Sequence, residues 1–490
     1  MKNNAFYLFI LFTLFISGCS QKVSDYVEYS TTSSEAAKQM NSGLRYQDNL
    51  AQHLARESFQ KAVDLDPEFA IAYYSLAQMH RDAVKRNAIV KKGKQFVSKA
   101  NESEKILIGN MAKDSWWGGE GGVDWSEEIE RYNKLFPKEI RYINYLGNMA
   151  NFDGDDKKAE AYYKQSLSIK ENSEALNSLG YLYSRQGKME EAKDAFEQQI
   201  NISPDLANPY DSMGDYYLEK KNNKNAKEYF QKALAIDSEF ISSKRKIWRI
   251  DEEEAGNDIS STEWSSDSTN AVNAFMTGYW QFYNIHWSKA REQFEKAVTI
   301  DPEFAMPYLF LVFTPGDSAR SVESKKIAEG LAPTASQYER DMIEYYLYRM
   351  DNPDANLSSR ISKLKANYPY KPFVMITEAG DLYSKKEYKK AIDIYTTMWE
   401  QFDFSPSLNM LGYANMQLGN TDAAKSAFED YIYNNFMHPN PYDSMGEYWE
   451  KMEKYQSAYD YYMMAYTMDS TFSISKERAD ALEDKKTPVK

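Results

Sequence analysis

Small residues recur along this chain at a fixed long step, and the apolar positions between them fall three and four apart, the spacing of one helix face, rather than in long runs. Leu179-Gly180 is followed by Ala192, Phe196 and Pro204; Met213-Gly214, one step further on, is followed by Ala226, Phe230 and Ala233. The same markers return at Gly147 with Ala159 and Tyr163, at Gly412 with Ala424 and Phe428, and at Gly446 with Ala458 and Tyr462. Two units start less cleanly: Gly278 leads Ala290, Phe294, Ala297 and Pro302, while Gly380 is followed by Ala391 one position early. Ala55, Phe59, Ala62 and Pro67 mark the second helix of an early unit. The pattern predicts pairs of helices whose glycine and alanine sit where the helices approach most closely, with aromatics such as Tyr210, Phe230 and Tyr442 filling the space between pairs. Proline after a second helix, as at Pro67, Pro204 and Pro302, ends it and sets the next turn.

The step from Gly180 to Gly214 and the choice of residues resemble the tetratricopeptide repeat, two antiparallel helices in a unit of about 34 residues. The resemblance covers most of residues 35–479 and implies an all-α solenoid of the tetratricopeptide type. A longer period lies on top. Asn208-Pro209-Tyr210-Asp211-Ser212-Met213-Gly214 returns as Asn440-Pro441-Tyr442-Asp443-Ser444-Met445-Gly446. At a slightly larger displacement, Ala55-Arg56-Glu57 through Ala70 returns as Ala290-Arg291-Glu292 through Ala305. The array is therefore duplicated, with about six helical pairs per half, more than the roughly three needed to bury a shared core. The first array is assigned to 35–250 and the second to 271–479. Between them, 251–270 begins with Asp251-Glu252-Glu253-Glu254 and runs on through Ser, Thr, Asp and Asn, the composition of a linker, although Trp264 offers an anchor to the solenoid. Residues 480–490 form a tail.

The first residues follow different rules. Lys2, an apolar run from Ala5 to Ile16 and the small residues Ser17 and Gly18 make a secretory signal over 1–18, too short to span a bilayer. It ends at Cys19, the single cysteine in 490 residues. Ile16-Ser17-Gly18-Cys19 resembles the lipobox of bacterial lipoproteins, which implies removal of the signal, acylation of Cys19 and attachment to a membrane, with 19–34 as a polar tether. Ser20 stands where an aspartate retains such lipoproteins in the inner membrane, so the resemblance implies the outer one. No second cysteine exists for a disulfide or a thiolate metal site.

Composition removes several classes of function. A net charge of −14, from 73 acids against 59 Lys and Arg, lacks the basic stripe of a nucleic-acid binder. The four histidines, His53, His80, His286 and His438, are scattered and form no metal motif. Neither a phosphate-cradling glycine loop nor a nucleophile turn is present, so neither catalysis nor a cofactor is expected. Aromatic content is high, at 15% with 39 tyrosines.

In the family resembled here, the first helix of each unit lines the ligand groove, and the positions three before and one after the small residue face into it. These are Asn144 and Asn148, Asn177 and Tyr181, and Asp211 and Asp215, then Asn409 and Tyr413, and Asp443 and Glu447 in the second half. Such a groove is acidic and amide-bearing. It suits a basic or extended peptide, or a sugar held by hydrogen bonds and ring stacking, and departs from the lysine clamp of chaperone-binding members. A competing explanation is local: Asn208 and Asn440 precede a proline and read as helix N-caps, with Asp211 and Asp443 answering the helix dipole. The least repeat-like stretch, 115–125, carries Trp116, Trp117 and Trp125 among four glycines, either as a stacking loop or as rings that plug a groove.

The sequence thus predicts a non-enzymatic, lipid-anchored scaffold of the bacterial envelope whose grooves take extended segments of partner proteins. The alternative is an accessory glycan-binding lipoprotein serving polysaccharide capture, resembling the SusD-like family in its lipid anchor, helical repeats and aromatic load.

Overall fold

A computed structural model describes residues 27–111, 125–257, 259 and 264–486. The described residues hold 26 α-helices and no strand, the all-helical solenoid expected. They fall into two series of thirteen, from α1 (Ser34–Asp48) to α13 (Ile241–Glu254) and from α14 (Thr269–Tyr283) to α26 (Ser473–Ala481). Each series is six helix pairs closed by a single helix. Cys19 and its signal, Trp116 and Trp117 lie outside the described residues, and Trp125 opens α6 (Trp125–Leu135).

Close approach within each pair explains the glycine marker. A Cβ on Gly180 would lie 2.4 Å from the ring of Phe196, on Gly214 2.3 Å from Phe230, and on Gly412 2.5 Å from Phe428. Each ring stands sixteen positions after its glycine and is buried. At these three positions only a missing side chain leaves room for the ring against the first helix. The uneven unit at Gly380 resolves by one position. Gly380 has nothing near its missing Cβ, whereas Ala379 is fully buried, sixteen before the buried Tyr395 and twelve before Ala391. Ala379 is the small residue of that unit.

Both arrays begin with a pinned extended segment. Part of the sequence expected as a tether, residues 27–33, is held by Ser30 N–H donating to Glu104 (2.9 Å), by the Thr31 hydroxyl donating to Asp66 (2.5 Å) and by Tyr29 edge-on to Phe69. The end of the expected linker repeats the same device at the displacement that carries Ala55 to Ala290. Ser265 N–H donates to Glu339 (3.1 Å), Ser266 bonds Asp301, and Trp264 packs edge-on to Phe275, Phe304 and Phe373. A polar composition conceals these segments because their partners are single buried acids, Glu104 and Glu339.

Each array is also clasped across its own coil. The turn after α1 carries Asn49 to Ser173, at the start of α9 (Ser173–Arg185), where Gln199 of α10 (Met189–Ile202) completes the contact. In the second array Asn284 receives the Tyr431 hydroxyl (2.8 Å) of α23 (Thr421–Asn434), and Asn440 donates to the same oxygen (2.9 Å). Among the described residues the arrays meet at these places. Arg245 of α13 donates to the Glu400 and Trp399 carbonyls of α21 (Tyr388–Phe402), beside Trp248 edge-on to Phe402. The start of α4 (Ala83–Lys94) lies on α23, α24 (Pro439–Lys451) and α25 (Tyr455–Met468).

Candidate functional site

The first helices of successive pairs bring the expected groove residues together, and bond most of them to the next pair. Asn144 and Asn148 of α7 (Ile140–Phe152) donate to the two oxygens of Glu174, each at 3.0 Å. Burial lifts the Glu174 carboxyl above its ordinary range, against the pull of those two amides. Asn177 accepts from the Ser212 hydroxyl (2.7 Å), and the Tyr181 hydroxyl donates to Asp215 (2.8 Å). Burial, and then the Asp215 charge, push the Tyr181 phenol up.

The acids of this ladder are not unopposed. Lys246 of α13 lies 2.8 Å from Asp211 and 2.7 Å from Asp215, and Ser243 donates to Asp211 (2.7 Å). In the second array Arg478 of α26 takes the place of Lys246: it lies 2.8 Å from Asp443 and also pairs with Glu447, while Ser475 donates to Asp443 (2.6 Å). Burial raises the phenol of Tyr413 beside Glu447, and Asn409 is buried. The closing cations Lys246 and Arg478 went unread because they stand far beyond their acids, in the single helix that ends each array. Each sets one positive charge against two carboxylates, which halves the charge of a groove that the first-helix positions alone make acidic.

The capping explanation for the aspartates is corrected. Helix α11 (Ala207–Glu219) starts one position before Asn208, after Leu206, and α24 starts at Pro439, so Asn208 and Asn440 are inside their helices. Asp211 and Asp443 lie a full turn in, too far from the free N–H groups to cap them, and bind Ser243 and Ser475 instead.

A second feature distinguishes the two arrays. In the second, Phe275, Tyr279, Phe282, Phe310, Phe313 and Phe373 line one interior, with Tyr279 stacked on Phe373 at 4.0 Å. Their counterparts in the first are Met40, Leu44, Gln47, Ser75, Gln78 and Arg141. Six rings become four shorter side chains, a serine and an arginine, and a cavity of about 450 Å³ results, walled by Tyr29, Leu107, Ile129 and Tyr142 among others. Arg141 lies 3.9 Å from Asp48, whose carboxyl burial drives well upward while Arg141 opposes the rise. Arg141 Nε and Gln78 Nε2 are buried and have no protein hydrogen-bond partner. An apolar hollow with two unspent donors can hold an apolar side chain whose neighbouring backbone supplies carbonyl oxygens. The site was readable by setting the two halves side by side, Ala55 against Ala290; the repeating glycine marker alone passes over it. Among the described residues no group of three or more His, Cys, Asp or Glu is placed to hold a metal.

Residues 171–239 match a family model described as tetratricopeptide repeat, and residues 405–436 match a second with the same description. The human protein O-mannosyl-transferase TMTC3 (Homo sapiens) is 25% identical over 277 residues, which make up 56% of this chain and 28% of that protein. The chain thus spans less than a third of that curated relative. Among solved structures, the APC/C hetero-tetramer Cut9-Hcn1 aligns with a TM-score of 0.31 at 12% identity, over 92% of this chain and 97% of that one. YrrB, a TPR protein with an unusual peptide-binding site, aligns with a TM-score of 0.20 at 19% identity, over 42% and 89%. The TPR2AB domain of yeast Sti1 gives 0.23 at 13%, over 71% and 97%.

Proposed function

From a chain built as tandem tetratricopeptide repeats, we propose a non-enzymatic scaffold, lipid-anchored through Cys19 at the bacterial outer membrane, whose first array holds an extended segment of a partner protein. The observation that carries the binding role is the interior of the first array. Where the second array is filled by rings, the first keeps a hollow of about 450 Å³ with the donors of Gln78 and Arg141 in its wall. A space filled in one copy of a duplicated fold and left open in the other supports a ligand in the open copy. The lipobox-like Ile16-Ser17-Gly18-Cys19 supports the anchor.

Selection of the full chain against a displayed peptide library tests the binding role. Peptides with a large apolar residue in an extended stretch should be enriched, and Ser75→Phe, which installs the ring that Phe310 supplies in the second array, should abolish their binding while raising thermal stability. No enrichment, or binding indifferent to Ser75→Phe, refutes it. Mass spectrometry of the membrane-extracted protein tests the anchor, for which an unmodified Cys19 is fatal. A glycan array probed in parallel separates the alternative: glycan binding lost in Trp116→Ala would support polysaccharide capture in place of peptide binding.

A further inference from the structure

The start of α4 in the first array is seated on the second array, and the seat is specific. Asp82, which caps α4 by accepting from Val84 and Lys85, also accepts the Tyr461 hydroxyl (2.5 Å). Ala83 N–H donates to the Tyr442 hydroxyl (3.2 Å), Lys85 pairs with Glu429 (2.7 Å), and Ala83 and Val84 join the apolar cluster that holds Tyr442 and Tyr461. Arg81 completes the contact, donating to the Tyr433 carbonyl (3.2 Å) with its guanidinium 4.4 Å from the Tyr433 ring and 5.4 Å from that of Phe436.

Both halves of this contact are duplicated, and among the described residues the duplicates are not seated on each other. The seat recurs in the first array at the displacement that separates Asn208 from Asn440, where Glu197, Ile200, Tyr210 and Tyr229 replace Glu429, Ile432, Tyr442 and Tyr461. There it borders a surface pocket of about 680 Å³. The seated turn recurs in the second array at the displacement that carries Ala55 to Ala290. Asp317 caps α17 (Ser318–Leu331) by accepting from Ala319 and Arg320, as Asp82 does for α4. Asp82 and Ala83 are buried, whereas Pro315 through Ala319 are all exposed. One contact has changed on both sides together: Gly316 stands for Arg81, and Asn201 and Pro204 stand for the Tyr433 and Phe436 that receive its guanidinium, while Ser318 and Ala319 replace Ala83 and Val84 at the apolar contact. Arg320 already bridges Glu295 (2.7 Å) and Glu323 (2.9 Å), so its pair with Glu197 would add least.

We propose that the chain binds a second copy of itself head to tail, with the Pro315–Ala319 turn of one copy seated between Tyr210 and Tyr229 of the next, repeating the contact that Asp82 makes inside the chain. Two different surfaces meet, so each added copy leaves one turn and one seat free, and the association extends as a chain. A contact of this small size gives weak association, so it is sought between about 10 µM and about 1 mM.

Sedimentation velocity of the full chain over that range should show a concentration-dependent ladder of species. Asp317→Lys (spent turn, intact seat) and Tyr229→Asp (spent seat, intact turn) should each be monomeric alone and give a dimer, with nothing larger, when mixed one to one. Tyr210→Glu, at the partly exposed counterpart of the Tyr442 ring that receives the Ala83 N–H, repeats the test should Tyr229→Asp fail to fold by circular dichroism; it should mix with Asp317→Lys in the same way. A wild-type chain that stays monomeric throughout, a mixture without dimers, or association that persists in a chain carrying both Asp317→Lys and Tyr229→Asp overturns the proposal. So does capture of the Pro315–Ala319 turn at any other surface, read from cross-links in the wild-type ladder.

Discussion

Replacing Gly214 by alanine isolates what the glycine-to-ring contact is worth. The new Cβ would lie 2.3 Å from a ring carbon of Phe230, well inside the ~3.5–4 Å of ordinary carbon contact, and Phe230 is fully buried. Overpacking of this kind costs about 1–3 kcal/mol, while alanine for glycine inside a helix returns about 1 kcal/mol. The net effect is a loss of about 0–2 kcal/mol. A built-in control removes the helix contribution: Gly380 also sits inside a first helix, α20 (Pro372–Ser384), with nothing within 4 Å of its missing Cβ. Gly380→Ala should therefore gain about 0.5–1 kcal/mol, and the two variants should differ by the overpacking alone, about 1–3 kcal/mol. Urea unfolding gives the comparison, with amide exchange in α11 and α12 (Asn223–Ile236) reporting the local effect, since repeat arrays need not unfold in a single step. If Gly214→Ala proves as stable as Gly380→Ala, the close approach is not what selects glycine here.

Lys246→Met leaves Asp211 and Asp215 without their cation. Breaking a buried pair costs roughly 3–5 kcal/mol, and because the Lys246 side chain stays 26% exposed the loss should be nearer ~2 kcal/mol around neutral pH. Burial already raises the Asp215 carboxyl against Lys246, so losing the lysine raises it further, and the deficit should shrink in unfolding measured at progressively more acidic pH, as the Asp215 carboxyl takes a proton. A deficit independent of pH would refute the pairing. His80 and His438 are lowered by burial from 6.5 to about 4. The fold keeps them neutral while the unfolded chain charges them, so their contribution is complete above about pH 6.5 and is lost as pH falls toward 4. In a His80→Gln/His438→Gln variant the fall in unfolding free energy between about pH 7.5 and about pH 5 should be smaller by about 1–2 kcal/mol per histidine; an unchanged fall would place the acid sensitivity elsewhere.

The sequence made the helix pairs and the duplication plain because both rest on sterics that act between near neighbours. Gly180 and Phe196 declare each other at a fixed spacing, whatever the rest of the protein does. Even the misread unit at Gly380 was off by a single position, since a glycine free of constraint stood next to the alanine that carried it. What stayed hidden depends on partners further away. Helix α11 begins ahead of Asn208 with Ala207 already buried, a placement that no local cue for a cap announces. Lys246 and Arg478 are ordinary surface cations until the adjoining first helix places two acids beside each. The hollow of the first array is an absence of rings at Met40, Ser75 and Arg141, visible only against Phe275, Phe310 and Phe373.

An open coil of helix pairs yields a little at every joint, so that tension on its ends is shared along its length. These two coils are buttoned instead. Asn49 is fastened to Ser173 across 124 residues, and Asn284 to Tyr431 across 147. A pull along either coil meets those few polar fastenings before any joint between helix pairs feels it, so extension in an optical trap should open with an abrupt release and only then become gradual.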